Sequence, residues 1–98
     1  MSLDILTDRI RQKVGNDSGL NATVKFVLGE SETIFVDASK VPNLVSNDNG
    51  PADCVVKVSP DVIRQIMDGE TSAMSAFMSG KIKIEGNMAI AMNINKVL

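Results

Sequence analysis

Histidine, tryptophan and tyrosine are absent from the 98 residues, cysteine occurs once and phenylalanine three times. Without histidine there is no Ser-His or Cys-His nucleophile pair and no side chain that ordinarily titrates near neutral pH. A lone Cys54 cannot close an internal disulfide, and no second set of ligands accompanies it for a metal. The chain is therefore expected to need no metal or cofactor and to work in a reducing, cytoplasmic compartment. An excess of positive charge is also missing: ten Lys and Arg stand against twelve Asp and Glu, a net charge of -2. Proteins that grip nucleic acid concentrate basic residues to displace counterions, so nucleic acid is not an expected partner. Strong generic adhesion to anionic bilayers is not expected either, which leaves room for transient membrane contact.

Long apolar runs are lacking, and nothing approaches the roughly 20 residues of a membrane span. Met1-Ser2-Leu3-Asp4 has no basic n-region ahead of an apolar core, and Lys96-Val97-Leu98 is not a Ser-Lys-Leu address. Gly80-Lys81 lacks the upstream glycine and the following Ser or Thr of a phosphate loop. The pairs Asp48 and Asp53, and Glu30 and Glu32, fall in turn-like segments where carboxylates are solvated. Catalysis is not expected.

What is present reads as one domain over residues 1–98. Ser2 is placed to cap a first helix in which Leu3, Leu6, Ile10 and Val14 form one apolar stripe, with Gly15 as its stop. Arg9 and Arg11 read as part of its solvated face. Alternation then predicts a strand through Ala22, Val24, Phe26 and Leu28, a turn at 29–32 and a second strand at Thr33–Asp37. Phe26 and Phe35 are expected in the core. Val41 to Ser46 is a weaker third strand that Pro42 confines to an edge or a first position. After the exposed breaker Asn47-Asp48-Asn49-Gly50-Pro51, the apolar run Cys54 to Val58 predicts an inner strand that buries the thiol.

Ser59-Pro60-Asp61 starts a helix with a hydroxyl cap, a proline where no N–H partner is needed, and an early acid. Its stripe is Val62, Ile63, Ile66 and Met67, and a shorter helix from Thr71 or Ser72 carries Met74, Phe77 and Met78. Two helices between two strands predict a parallel pair at this point. Lys81 to Glu85 alternates as an edge-compatible strand with Ile82 and Ile84 inward. Asn87 caps a closing helix whose apolar residues from Met88 to Leu98 would cover roughly 220° at 100° per residue. A helix lying on a sheet needs little more than 100°. The surplus has three explanations: ordinary core packing, which spacing alone ranks first, a protein interface, or an apolar ligand. Methionines cluster in this region, and their unbranched side chains reshape around guests of different size.

Taken together, Ala52-Asp53-Cys54-Val55-Val56, the helix opening at Ser59, the run from Ala76 through Gly80-Lys81-Ile82-Lys83-Ile84-Glu85-Gly86-Asn87-Met88, and Ala91-Met92 resemble the sterol carrier protein type 2 domain family. The likeness is dense from Ala52 onward and before that agrees in element order and type. It implies an α+β fold: a helix, then a five-stranded mixed β-sheet with helices on one face, and an apolar tunnel between sheet and helices. The implied function is non-enzymatic binding and transfer of a fatty acid, fatty acyl-CoA or sterol-like lipid by a monomer. Carried over by position, the tunnel wall includes Phe77, Ile84, Met88 and Met92, and the helix reading adds Ile66 and Met74. The alternative is an interaction module whose apolar C-terminal surface docks a lipid-modifying enzyme or a second copy.

Overall fold

In the computed structural model, which describes residues 3–15, 18–29, 32–94 and 97–98, nine elements follow in order. They are α1 (Leu3–Val14), β1 (Thr23–Val27), β2 (Thr33–Asp37), β3 (Leu44–Ser46), β4 (Cys54–Val58), α2 (Pro60–Met67), α3 (Ala73–Met78), β5 (Ile82–Gly86) and α4 (Met88–Met92). The cap expected from Ser2, half of the 29–32 turn, and the expected helical positions 95 and 96 lie outside the described residues.

The strands form one mixed sheet in the order β3-β2-β1-β4-β5. Cross-strand register aligns Ile34, Phe26, Val56 and Ile84 in one row over four strands. Val36, Val24 and Cys54 form the next row, which ends at Gly86. Because strand side chains alternate between faces, all of these point to the same side. There they meet Leu6, Ile10 and Val14 of α1 and Ile63 of α2 in a single apolar core. Val27, Phe35 and Val55, on the other face, are only half buried, so the helices cover one face of the sheet. Phe35 thus departs from the expected core position: Ile34 and Val36 on either side of it are fully buried and turn it outward, beside Lys25.

The parallel pair is not where two intervening helices predict it. β4 and β5 are antiparallel, with Val58 beside Ile82. The connection through α2 and α3 therefore leaves and returns at the same end of the sheet, and two passes cancel where a single crossover would have carried the chain to the other end. The parallel neighbours are β1 and β4, joined through β2, β3 and the loop after them.

Arg9 is not simply solvated. It pairs with Asp68 at the C-terminal cap of α2, and Arg64 bonds the same carboxylate at 3.0 Å and Glu70 at 2.9 Å. This chain of charges ties α1 to α2. The Arg9 and then Arg64 hydrogen bonds hold the Asp68 carboxyl below its ordinary value of 3.8. A depressed folded pKa contributes stability above the ordinary value and loses it as pH falls through the folded one. Asp68→Asn is expected to lower the melting temperature modestly at pH 7, with the gap to the parent chain closing below pH about 4. Thermal melts of both proteins across that range check it.

The closing helix is much shorter than the apolar pattern suggests. α4 ends at Met92, where the Asn93 side chain donates to the Ala89 carbonyl at 3.0 Å and the Asn93 N–H bonds Ile90 at 3.0 Å. Asparagine that competes for backbone partners favours such an end. Ile94 and Val97 then bury themselves separately from the helix, at 4% and 0% exposure. The 220° arc is therefore not a helix surface.

Candidate functional site

α3 and α4 are short, six and five residues, and each buries one side chain, Ala76 and Ala91 respectively. Alanine is small, so neither helix fills the space above Ile82 and Ile84. Both helices are fixed at their starts by side-chain caps. Ser72 Oγ accepts from the Ser75 N–H at 3.0 Å, and Asn87 Oδ1 accepts from the Ala89 N–H at 2.9 Å, each satisfying a donor that helix geometry leaves open.

The start of α4 is also held by the sheet. Asp53 donates its N–H to Thr23 Oγ1 at 2.9 Å, its carboxylate accepts from the Thr23 N–H at 3.2 Å, and its carbonyl accepts from the Asn87 N–H at 3.0 Å. Between these partners sits Gly86, with φ +99° and so little room that a Cβ would meet the Asp53 carbonyl oxygen at 2.5 Å. Only glycine lets β5 end against β4 and turn at once into α4. This gives the Gly86-Asn87-Met88 sequence a physical reason.

The result is a cleft of about 420 Å³, within the range of small-molecule sites. Ile82 and Ile84 of β5 form its floor, Met74 and Phe77 one wall, and Met88, Ala91 and Met92 the other, with Ile94 at the back. Among the described residues that line it, Ser72 contributes the one polar side chain. The cleft lies between sheet and helices, where the family resemblance implies an apolar tunnel, and it is open to solvent along one side. Openness has an energetic basis: a sealed, empty void of 420 Å³ would cost about 10 kcal/mol at ~24 cal/mol per Å³, as much as a whole domain's stability. The open side leaves Met74, Met88 and Met92 at 51%, 47% and 67% exposure.

Among the described residues, charged side chains stay out of the cleft. Lys81 and Lys83 flank Ile82 on β5 but border a separate shallow groove with Lys57 at the end of the sheet. Among the described residues, no group of three or more Asp, Glu, Cys or His residues is placed to hold a metal ion. Burial pushes the Cys54 thiol up, away from the reactive thiolate. Among the described residues, no hydrogen-bonded nucleophile and base face the cavity.

Of the six expected wall residues, five border the cleft: Met74, Phe77, Ile84, Met88 and Met92. Ile66 does not. It lies in the core beneath α2 at 9% exposure, one turn from fully buried Ile63, because its helix stripe is spent on the sheet. The expected wall omitted Ser72, Ala73, Ile82, Ala91 and Ile94. Ile82 was detectable, since it sits two residues from Ile84 and so on the same strand face.

A sequence model of the SCP-2 sterol transfer family matches residues 8–98, nearly the whole chain. The chain belongs to this family. Among SCP-2 relatives, a fatty acid-binding protein of Yarrowia lipolytica is 28% identical over 95 residues, covering 90% of this chain and 74% of that one. Sterol carrier protein 2 of Oryctolagus cuniculus is 31% identical over 70 residues. That match spans 70% of this chain but only 13% of the rabbit protein's length. The apo structure of sterol carrier protein 2 from Yarrowia lipolytica superposes with a TM-score of 0.73 at 25% identity, covering 97% of this chain and 84% of that one. The five-stranded mixed sheet and its helices are thus the SCP-2 fold.

Proposed function

We propose that this SCP-2 domain is a non-enzymatic carrier that binds a long-chain lipid in the cleft between β5, α3 and α4 and transfers it between membranes as a monomer. The observation that carries this reading is a ligand-sized cavity lined almost wholly by apolar side chains and rimmed by three half-exposed methionines. The fatty acid-binding name of the yeast relative, most of whose length is matched, supports the same ligand class. With no charge among the described residues that line the cleft, the lipid's tail enters and its polar head stays at the open side. A fatty acid or fatty acyl-CoA meets that requirement directly, and a sterol-like lipid meets it with its hydroxyl outward.

Magnitudes are adequate. Burying about ten methylenes at ~0.8 kcal/mol each gives roughly 8 kcal/mol, a micromolar Kd before the costs of ordering. Such affinity is strong enough for extraction from a membrane and weak enough for release. Among the described residues no helix is long and apolar enough to cross a membrane; on this reading the carrier meets membranes transiently, and the lone buried cysteine fits the cytoplasm. Native mass spectrometry of protein from cells, before and after delipidation, is expected to show one bound lipid per monomer that delipidation removes. Repeated absence of lipid, with no uptake of a fluorescent fatty acid, would refute the carrier. A dimer that forms with concentration and ignores lipid would favour the interaction module, for which the exposed methionines would be the docking surface.

A further inference from the structure

Five methionines fall within the described residues and occupy three different environments. Met74, Met88 and Met92 line the cleft and are roughly half to two-thirds exposed. Met78 is more exposed still, at 78%, yet does not border the cleft. Met67 is half buried against the core. The thiol that would ordinarily sense oxidants, Cys54, is inaccessible at 0% exposure and its burial disfavours the thiolate. Among the described residues, the sulfurs that solvent reaches are therefore thioethers, the three at the cleft mouth and Met78 away from it.

We propose that Met74, Met88 and Met92 are a reversible sulfoxidation site through which peroxide empties the cleft. The proposal rests on lipid occupying that cleft. In the reaction, the methionine sulfur attacks one oxygen of hydrogen peroxide and the O–O bond breaks. A sulfur–oxygen bond forms and water leaves, so the sulfur loses two electrons and the peroxide gains them. Sulfoxidation turns a flexible apolar side chain into a polar one. Three such groups sit around a cavity whose other described lining residues offer a single hydroxyl, that of Ser72. A bound acyl chain would have to strip water from each sulfoxide without supplying a hydrogen bond in return.

The same geometry makes the chemistry reciprocal. A lipid in the cleft covers the three lining sulfurs but not Met78, so occupancy should protect the former and leave the latter unchanged. Methionine sulfoxide reductases would restore the apolar wall.

The test is limited treatment of the full chain with hydrogen peroxide, with and without palmitate. Oxidation is mapped by peptide mass spectrometry, and binding is read with a fluorescent fatty acid. The expected result is slower oxidation at Met74, Met88 and Met92 in the presence of palmitate, with Met78 unaffected. The oxidised apo protein should bind about tenfold or more weakly and recover on incubation with methionine sulfoxide reductases. Peroxide should leave the affinity of the Met74→Leu, Met88→Leu, Met92→Leu triple variant where it stood before treatment, whatever that starting value, while Met78→Leu should lose binding on oxidation as the parent does. Undiminished binding by oxidised parent protein, or equal loss in the triple variant, would overturn the switch and leave the carrier reading intact. Failure of the untreated parent to bind would overturn both.

Discussion

A double Met88→Lys, Met92→Lys variant is expected to lose lipid binding by about a hundredfold while remaining folded. Each methionine at the cleft mouth would cover part of a bound chain, and covering an apolar side chain of this size is worth about 1.5–3 kcal/mol. Two lost contacts amount to roughly 3 kcal/mol or more, and each 1.4 kcal/mol is tenfold in Kd. Stability should change far less. Both side chains are roughly half to two-thirds exposed, lysine and methionine have similar helix propensity, and exposed substitutions usually cost no more than about 0.5 kcal/mol each. At about 4–8 °C per kcal/mol for a domain of this size, the melting temperature should fall by no more than about 8 °C. Parallel titration with a fluorescent fatty acid and thermal melting separate the two effects. If binding and folding fall together, the methionines serve the core and not a ligand.

Gly86→Ala makes the complementary prediction: a large loss of stability from a single methyl group. Gly86 has φ +99°, and its added Cβ would lie 2.5 Å from the Asp53 carbonyl oxygen. That oxygen is backbone and already accepts the Asn87 N–H, so it cannot retreat without loosening both the β4–β5 pairing and the start of α4. Strain of about 1–3 kcal/mol from the backbone conformation adds to a similar cost for the clash. We expect a loss of about 3 kcal/mol, read as a melting temperature roughly 12–24 °C lower. Gly80 provides the contrast. Its φ is +76°, but a Cβ there meets nothing within 4 Å, so Gly80→Ala should cost only about 1–2 kcal/mol of left-handed strain. Equal melting temperatures for the two variants would contradict the close approach at Asp53.

The uneven legibility of this fold has identifiable causes. Strand faces could be read because alternation is local: Val24 and Phe26, Cys54 and Val56, and Ile82 and Ile84 declare their side within a few residues. The α2 start was legible for the same reason, and Ser59 Oγ accepts the Val62 N–H at 3.2 Å as its position suggests. What escaped was non-local. Nothing near β5 states that α2 and α3 return to the end of the sheet from which they left, so its antiparallel pairing had to be seen. Arg9 finds Asp68 across 59 positions, and no local pattern reveals that pair.

The candidate site was legible in part for a related reason. Phe77, Ile84, Met88 and Met92 came from likeness to a family, whereas Met74 and Ile66 came from helix periodicity. Periodicity identifies an apolar stripe but does not say whether the stripe meets a sheet or a cavity. Met74 lies on a helix held to the core by one alanine and faces the gap; Ile66 lies on a helix that packs fully and faces the core. The overestimated closing helix is the same lesson in another form. Ile94 and Val97 are buried as their hydrophobicity requires, but Asn93 ends the helix before them.

The cleft as a lipid site is the central claim, and the methionine methyl groups report on it without perturbing it. In an NMR spectrum of protein carrying isotope-labelled methionine methyls, titration with a long-chain fatty acid should shift Met74, Met88 and Met92 saturably. Met67 and Met78, which do not line the cleft, should stay in place. Saturable binding that moves Met78 and leaves the three lining methyls unchanged, or a spectrum that no fatty acid alters, would contradict the account.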